Sequence, residues 1–173
     1  MKVCVLTTGY PRHEGDAAGV FIQSLLKTLR SNHAIEAVVL APHEAGLQKR
    51  EWRHGVEIRR FQYVWPASWQ NVAYGAGVPD NIEESPLTLL EGPCFLLSFL
   101  RDALRAATGC DLIHANWVET SFVGVVAARL LRKPLVTTVH SLAPVCGLRG
   151  LYRSALDKAD YVLFNSTFTQ NAA

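Results

Sequence analysis

The 173-residue sequence has few cysteines, and they are far apart. The four, at Cys4, Cys94, Cys110 and Cys146, include no C-x-x-C pair. Without closely spaced cysteines the sequence predicts neither a disulfide framework nor a structural zinc site. We therefore expect all four to be small core residues of a protein that stays in the reducing cytoplasm.

Charge of one sign and long apolar runs are also scarce. Charged residues make up 18% of the chain and the net charge is +2, so nucleic acid is not an expected partner. The most apolar stretch, residues 87–104, is interrupted by Glu91, Gly92, Pro93 and Arg101 and falls short of the ~20 apolar residues of a membrane span. The first residues do not contain the apolar segment of a signal peptide. We expect a cytoplasmic protein without a transmembrane helix.

Strand-like and helix-like patterns alternate along the whole chain, whose length suits one domain. Apolar and β-branched runs predict six strands, at residues 2–8, 35–42, 55–61, 110–116, 134–140 and 160–166. Helical spacing of apolar residues predicts helices after four of them, including one with Pro93 in its first turn. This order predicts an α/β fold: a Rossmann-like, doubly wound, mainly parallel sheet with helices on both faces.

Residues 63–86 break this pattern with turn residues and large aromatic side chains, including Trp65 and Trp69. They predict a long surface loop. Together with the apolar residues 87–100 and the nearby Arg53, Arg59 and Arg60, the loop would suit peripheral contact with the inner face of a membrane. The alternative is that these side chains pack on the sheet and against another domain.

Three loops follow predicted strands and would meet at one edge of the sheet: residues 9–19, 114–117 and 138–141. The first has neither a G-x-G-x-x-G nor a P-loop pattern, which disfavours dinucleotide binding. Gly19 at the predicted helix start would let backbone N–H groups approach an anion. Asp16 could instead cap that helix, and the residues alone leave both readings open.

Two histidines, His114 and His140, end neighbouring predicted strands and could face one crevice. Either could be a catalyst or an ordinary hydrogen-bonded residue. They lack the i, i+4 spacing of a helical zinc pair and have no carboxylate cluster beside them, so we predict no metal. Trp117 beside Asn116 would suit a sugar ring, although packing against the next helix explains it equally well.

In order, the segments GYPRHEGDAAGVFIQSLLKTL, CDLIHANW, KPLVTTVHS and LDKADYVLFNS resemble the N-terminal domain of bacterial glycosyltransferase family 4. The resemblance implies one half of a GT-B fold, which consists of two Rossmann-like domains. It also implies an enzyme that retains the anomeric configuration and uses a nucleotide-diphosphate sugar as donor, without a cofactor. The acceptor would be a glycan or a lipid-linked molecule in cell-surface polysaccharide synthesis.

The resemblance also assigns roles to residues. Ala18 and Gly19 match a Gly-Gly pair whose backbone approaches the donor diphosphate, and His140 matches a histidine needed for transfer. Ala18 replaces the first glycine, which matters only if that position needs a positive φ. The residues implied on the acceptor side are Tyr10, His114, Asn116, Trp117 and Ser141, the last of which replaces a glycine.

Residues 1–173 would then form a single acceptor-side domain. The donor-binding domain, with its E-x7-E motif, would be the C-terminal part of the same protein or a separate subunit. Two alternatives remain: a non-catalytic subunit of a split glycosyltransferase, and a Rossmann-type oxidoreductase or epimerase. A Rossmann-type oxidoreductase or epimerase is expected to have an acidic residue at the end of the second strand. This sequence has Ala41, Pro42 and His43 there instead.

Overall fold

The computed structural model describes residues 1–75, 77–140, 149–167 and 170, and these form a seven-stranded sheet between layers of helices. The strands are β1 (Lys2–Leu6), β2 (Glu36–Pro42), β3 (Arg50–Arg53), β4 (Val56–Phe61), β5 (Leu112–Asn116), β6 (Leu135–Val139) and β7 (Tyr161–Phe164). The helices are α1 (Val20–His33), α2 (Val78–Glu84), α3 (Pro86–Ala107), α4 (Val118–Leu131) and α5 (Arg149–Leu156), with a short 3-10 turn at Ala67–Trp69.

The strand order β3-β4-β2-β1-β5-β6-β7 places β1 at the centre, paired in parallel with β2 and β5. β1 is a run of apolar residues because both of its faces are covered. Val3 and Val5 face a cluster that includes Ile22 of α1. Cys4 and Leu6 face the opposite cluster, which contains side chains of α3 and α4. Helices therefore cover both faces, and the prediction of a doubly wound, mainly parallel sheet is confirmed.

The edge strand β3 was not predicted from the sequence. It pairs antiparallel with β4 through a tight connection in which His54 and Gly55 both have positive φ values, 51° and 76°. Its sequence, REWR, is charged and half exposed, as expected for an edge strand that faces water. Because it lacks an apolar run, its strand character comes from pairing with β4 and not from its own composition.

Helix α3 begins at Pro86, well before the predicted start at Pro93, which lies inside the helix. The prediction of a loop through residues 63–86 is also wrong in part, since residues 78–84 form α2. An interior proline costs a helix about 3 kcal/mol. Here the Pro93 ring faces solvent, and burial of Phe95 and Phe99 against the sheet offsets that cost.

Two of the cysteines meet the expectation of core residues. Cys4 and Cys110 are buried, whereas Cys94 is exposed on α3, so the expectation is wrong there. Cys94 lies on the solvent side of α3, since the buried side of that helix is formed by Phe95 and Phe99. Cys146 lies outside the described residues. Within the described ranges, no helix is both long and apolar enough to cross a membrane.

Candidate active site at the carboxyl ends of the strands

The carboxyl ends of β1, β5 and β6 meet at one edge of the sheet, which we call the crevice edge. Parallel register aligns Leu6 with Ala115 and Asn116 with Thr138. The backbone N–H of Trp117 extends this pairing by donating to the Thr138 carbonyl at 2.9 Å. The sheet itself therefore brings the loops after β5 and β6 together, as the sequence predicts.

Three rings form a cluster at this edge. The ring centroid of His140 lies 4.5 Å from that of Phe21 and 4.8 Å from that of Trp117. Phe21 and Trp117 meet edge to face, with centroids 5.9 Å apart. Phe21 belongs to the first turn of α1, so the cluster joins the start of that helix to the ends of β5 and β6.

His140 is held in one orientation by its hydrogen bonds. Its Nε2 lies 3.1 Å from Oδ1 of Asn116, and its carbonyl accepts a bond of 2.8 Å from Nδ2 of Asn165. Since an amide oxygen can only accept, Nε2 carries the proton, and Nδ1 is the unprotonated nitrogen of the neutral ring. Burial lowers the pKa of His140, which favours this neutral form at pH 7.

His114 is also neutral at physiological pH. Its Nε2 lies 2.7 Å from Oγ1 of Thr138. Burial, with a smaller effect from nearby His140, lowers the pKa of His114 to about 4. Two uncharged imidazoles are therefore present, His114 on β5 and His140 directly after β6.

Asn116 has an unusual environment for a residue predicted to bind an acceptor. The residue is only 1% exposed, and its Nδ2 has no hydrogen-bond partner among the described residues. The bond to His140 makes Asn116 a support for that ring. Trp117 is half-buried and has a φ of 80°, a strained value for a residue with a side chain, of the kind found at functional sites.

The start of α1 is open to a ligand. Gly19 is its N-cap residue and has a φ of 65°, and a Cβ there would lie 2.2 Å from the carbonyl oxygen of Gly9. Both the conformation and the close approach require glycine. Among the described residues, the N–H groups of Gly19 and Phe21 have no acceptor. These two N–H groups and the helix dipole favour an anion.

Asp16 does not cap α1, so that reading of the sequence is wrong. Its carboxylate instead accepts bonds from the backbone and side chain of Arg12 and from the N–H of Ala18. The hydrogen bond with the Arg12 guanidinium lowers the pKa of Asp16. Ala18 does not have a positive φ, so the alanine in place of the family's glycine introduces no backbone strain.

One predicted acceptor residue, Tyr10, is not brought to the surface of this site. Tyr10 is fully buried in the cluster that contains Ile22 and Leu26 of α1, so its ring does not reach the surface of the crevice edge. We expected the Tyr10 ring to be exposed, but it packs in this apolar cluster instead. Ser141 lies outside the described residues.

Sequence reasoning did not select Phe21, Asn165 or Glu119. Phe21 directly precedes Ile22, which is buried, and is itself 40% exposed. A large aromatic residue at the start of a helix, next to the buried face, could have indicated its role in the sequence. Glu119 lies in the first turn of α4, and burial raises its pKa.

Within the described ranges no group of three or more histidine, cysteine or carboxylate side chains could hold a metal ion.

Comparison with solved structures gives the same fold. Sucrose-phosphate synthase from Thermosynechococcus elongatus superimposes with a TM-score of 0.63 at 16% identity, over 93% of this chain and 41% of that one. Anabaena HepE in complex with UDP-glucose gives 0.59 at 20% identity, over 99% of this chain and 39% of that one. Acinetobacter baumannii MurG gives 0.54 at 14% identity, over 97% and 42%. The chain thus spans about 40% of the length of these three proteins.

A comparison with curated protein sequences found no significant match. The family comparison is decisive, because residues 18–173 match Glycosyltransferase Family 4. That range covers every element from α1 to β7. The mostly parallel, seven-stranded sheet with its helices matches the N-terminal Rossmann-like domains of GT-B glycosyltransferases. The chain therefore belongs to Glycosyltransferase Family 4.

Proposed function

We propose that this chain is the acceptor-side domain of a bacterial, retaining glycosyltransferase. The complete enzyme moves a sugar from a nucleotide-diphosphate donor to a glycan or lipid-linked acceptor in cell-surface polysaccharide synthesis. One observation carries the proposal: the neutral ring of His140 contacts Phe21, two residues beyond Gly19 at the open start of α1. A group that can accept a proton and a site for an anion thus lie side by side.

The anion site fits the leaving diphosphate of the donor. As the bond to the anomeric carbon breaks, negative charge grows on the diphosphate oxygens. The free N–H groups at Gly19 and Phe21 are already oriented when that charge develops, so they favour the transition state. Ala18 contributes backbone to the same turn, and no backbone strain opposes its role.

His140 is the proposed catalytic residue. Because Nε2 is occupied by Asn116, the unprotonated Nδ1 is the nitrogen that can accept a hydrogen bond from a sugar hydroxyl near the anomeric carbon. In this role His140 orients and polarises the sugar and does not form a covalent bond to it. The depressed pKa keeps the ring neutral during turnover at pH 7.

The residues around the His140 ring are proposed to bind the acceptor. Trp117 offers an aromatic face next to His140, a surface suited to a sugar ring. His114 and Asn116 support that surface from within, since both are hydrogen-bonded and largely buried. Ser141 is proposed for the same side on the family resemblance alone.

The nucleotide is bound by a second domain, which belongs to the same protein or to a separate subunit. The Anabaena HepE structure contains UDP-glucose in a chain of which ours spans 39%. Closure of the second domain over the crevice edge completes the site and excludes water. No metal or other cofactor is part of this proposal.

A peripheral membrane contact would deliver a lipid-linked acceptor. The solvent side of α3 exposes Leu89, Leu90, Leu96 and Leu97 at 49–76%. Trp65 and Trp69 are 84% and 64% exposed, and their loop is tied to α3 by a bond of 3.0 Å from the Asn71 N–H to Glu91. Exposed leucines beside tryptophans suit the interface of a bilayer.

Calorimetry tests whether the nucleotide is bound by the second domain. The chain of residues 1–173 should bind UDP-sugars and other nucleotide sugars weakly, with Kd above about 1 mM, while the complete protein binds its donor at least ~10-fold more tightly. Equal, submillimolar binding by both would contradict the assignment of the nucleotide to another domain. The anomeric configuration of the product, read by NMR, tests retention.

A further inference from the structure

Arg60, on β4, is a buried cation with acceptors from three parts of the chain. Its side chain has no exposed surface. The guanidinium donates to the Tyr74 hydroxyl at 2.8 Å, to the Pro11 carbonyl at 2.8 Å and to the Glu51 carboxylate at 3.0 Å. A buried charge persists only when it is paired and fully hydrogen-bonded, and the planar fork of arginine provides several donors at fixed angles.

The Pro11 carbonyl belongs to the loop between β1 and α1, residues 7–19. The next carbonyl of that loop, that of Arg12, accepts a bond of 2.8 Å from Arg53. Arg53 in turn is paired with Glu51, the same carboxylate that Arg60 contacts. Two consecutive carbonyls of the loop are therefore held by two arginines that share one acidic partner.

The connection continues toward the start of α1. The Arg12 guanidinium lies 4.8 Å above the Tyr74 ring and pairs with Asp16 at 2.6 Å. The Asp16 carboxylate accepts a bond of 3.2 Å from the N–H of Ala18, the residue before Gly19. We call this series, from Arg60 through Tyr74, Arg12 and Asp16 to Ala18, the loop clamp.

The geometry at Gly19 makes the position of this loop important. The Gly19 backbone packs against the Gly9 carbonyl so closely that no Cβ fits between them. Because of this contact, the position of Gly19 and its N–H group depends on the position of residues 9 and 10. The charge-assisted bonds of the loop clamp oppose displacement of this loop.

We propose that Arg60 is a positioning residue for the anion site at the start of α1, acting through the loop clamp. It does not contact the donor. It holds the loop so that the N–H groups of Gly19 and Phe21 have one fixed geometry before the donor arrives, and a fixed geometry reduces the ordering that binding requires. The identity of the anion as a donor diphosphate rests on the proposed function.

Steady-state kinetics of the complete protein test this role with Arg60→Lys. Lysine keeps the charge but cannot reach Pro11, Glu51 and Tyr74 with one planar group. We expect the donor KM to rise about 5- to 10-fold while the acceptor KM stays within about 2-fold. Arg59→Lys is the matched control, because Arg59 pairs with Glu57 on the same strand and does not contact the loop. It should leave both KM values unchanged.

A second, milder variant keeps the test valid if Arg60→Lys does not fold. Tyr74→Phe removes only the hydroxyl that accepts from Arg60 and donates to the Pro42 carbonyl at 3.0 Å. It should raise the donor KM in the same direction by a smaller factor. If both variants unfold like the wild type and keep its donor KM, or if donor and acceptor KM rise together, Arg60 does not position the anion site and the proposal is overturned.

Hydrogen exchange tests the loop clamp independently of whether the protein is a glycosyltransferase. Amides of residues 9–19 should exchange at least about 5-fold faster in Arg60→Lys than in Arg59→Lys, with the core strands unchanged. Unchanged exchange in that loop would overturn the clamp whether or not the protein transfers sugar. A wild-type protein without transferase activity would instead overturn the proposed function, while the exchange result would still decide the clamp.

Discussion

The ring of Phe21 lies 4.5 Å from the ring of His140, so the first turn of α1 rests against the end of β6. This contact joins two features that are far apart in the sequence. One is the helix start, whose N–H groups at Gly19 and Phe21 have no acceptor in the part of the chain that the structure describes, and the other is an imidazole that burial keeps neutral. The crevice edge therefore places the proposed anion site next to a hydrogen-bond acceptor. The predictions for His114, Gly19, Asn116 and His140 concern this edge, and the prediction for Leu97 concerns the proposed membrane contact.

The low pKa of His114 makes stability depend on pH. The folded protein binds a proton to His114 only near pH 4, whereas the unfolded chain binds it near pH 6.5. The stabilising contribution is therefore complete above pH 6.5 and is lost as the pH falls toward 4. From pH 7 to pH 5 we expect the free energy of unfolding to fall by about 2 kcal/mol through this residue.

Denaturant unfolding of wild type and His114→Gln at the two pH values checks this expectation. Glutamine does not titrate, so the variant should lose about 2 kcal/mol less stability than the wild type between pH 7 and pH 5. The same fall in both proteins would show that His114 is not the group responsible.

Gly19→Ala should destabilise the fold by more than Gly15→Ala. Both glycines have positive φ, 65° and 83°, so both substitutions cost about 1 kcal/mol in backbone strain. Only at Gly19 does the added Cβ also meet a carbonyl oxygen, at 2.2 Å, while nothing lies within 4 Å at Gly15. Thermal unfolding should give a clearly lower Tm for Gly19→Ala, and equal Tm values would contradict the close packing at the helix start.

Asn116→Asp should reverse the pKa shift of His140. The new carboxylate would lie about where Oδ1 now bonds Nε2 at 3.1 Å, and a negative charge there favours the imidazolium form. We expect the pKa of His140 to rise above its wild-type value, measured by NMR titration of the imidazole protons in both proteins. Asn116→Ala, which removes the acceptor without adding charge, should not produce that rise. A pKa of His140 in Asn116→Asp that does not rise above the wild-type value would disprove the pairing.

The fold was largely predictable because parallel strands covered on both faces are strongly apolar, as in β1. The edge strand β3 was not, since its charged sequence becomes a strand only by pairing with β4. Gly19 and His140 could be selected from the sequence. Their connection through Phe21, and the requirement that Gly19 pack on Gly9, depend on contacts between distant segments that no local pattern contains.

Leu97→Glu should weaken binding to phospholipid vesicles if α3 contacts the membrane. Leu97 is 69% exposed on α3, so the substitution adds charge to the proposed contact surface without a cost in core packing. Leu130→Glu is the matched control, since Leu130 is 64% exposed on α4. In co-sedimentation with anionic vesicles, we expect at least ~10-fold weaker binding for Leu97→Glu only. Equal binding by both variants would remove α3 from the membrane contact.

The decisive measurement for the role of His140 is the transfer activity of the complete protein with His140→Ala. The imidazole contacts Phe21 and Trp117 and is only partly buried, so the fold should survive and the Tm should change by a few degrees at most. We expect kcat for sugar transfer to fall at least ~100-fold, because a group that acts on the transition state is lost. A folded His140→Ala protein that transfers sugar at the wild-type rate would contradict this role.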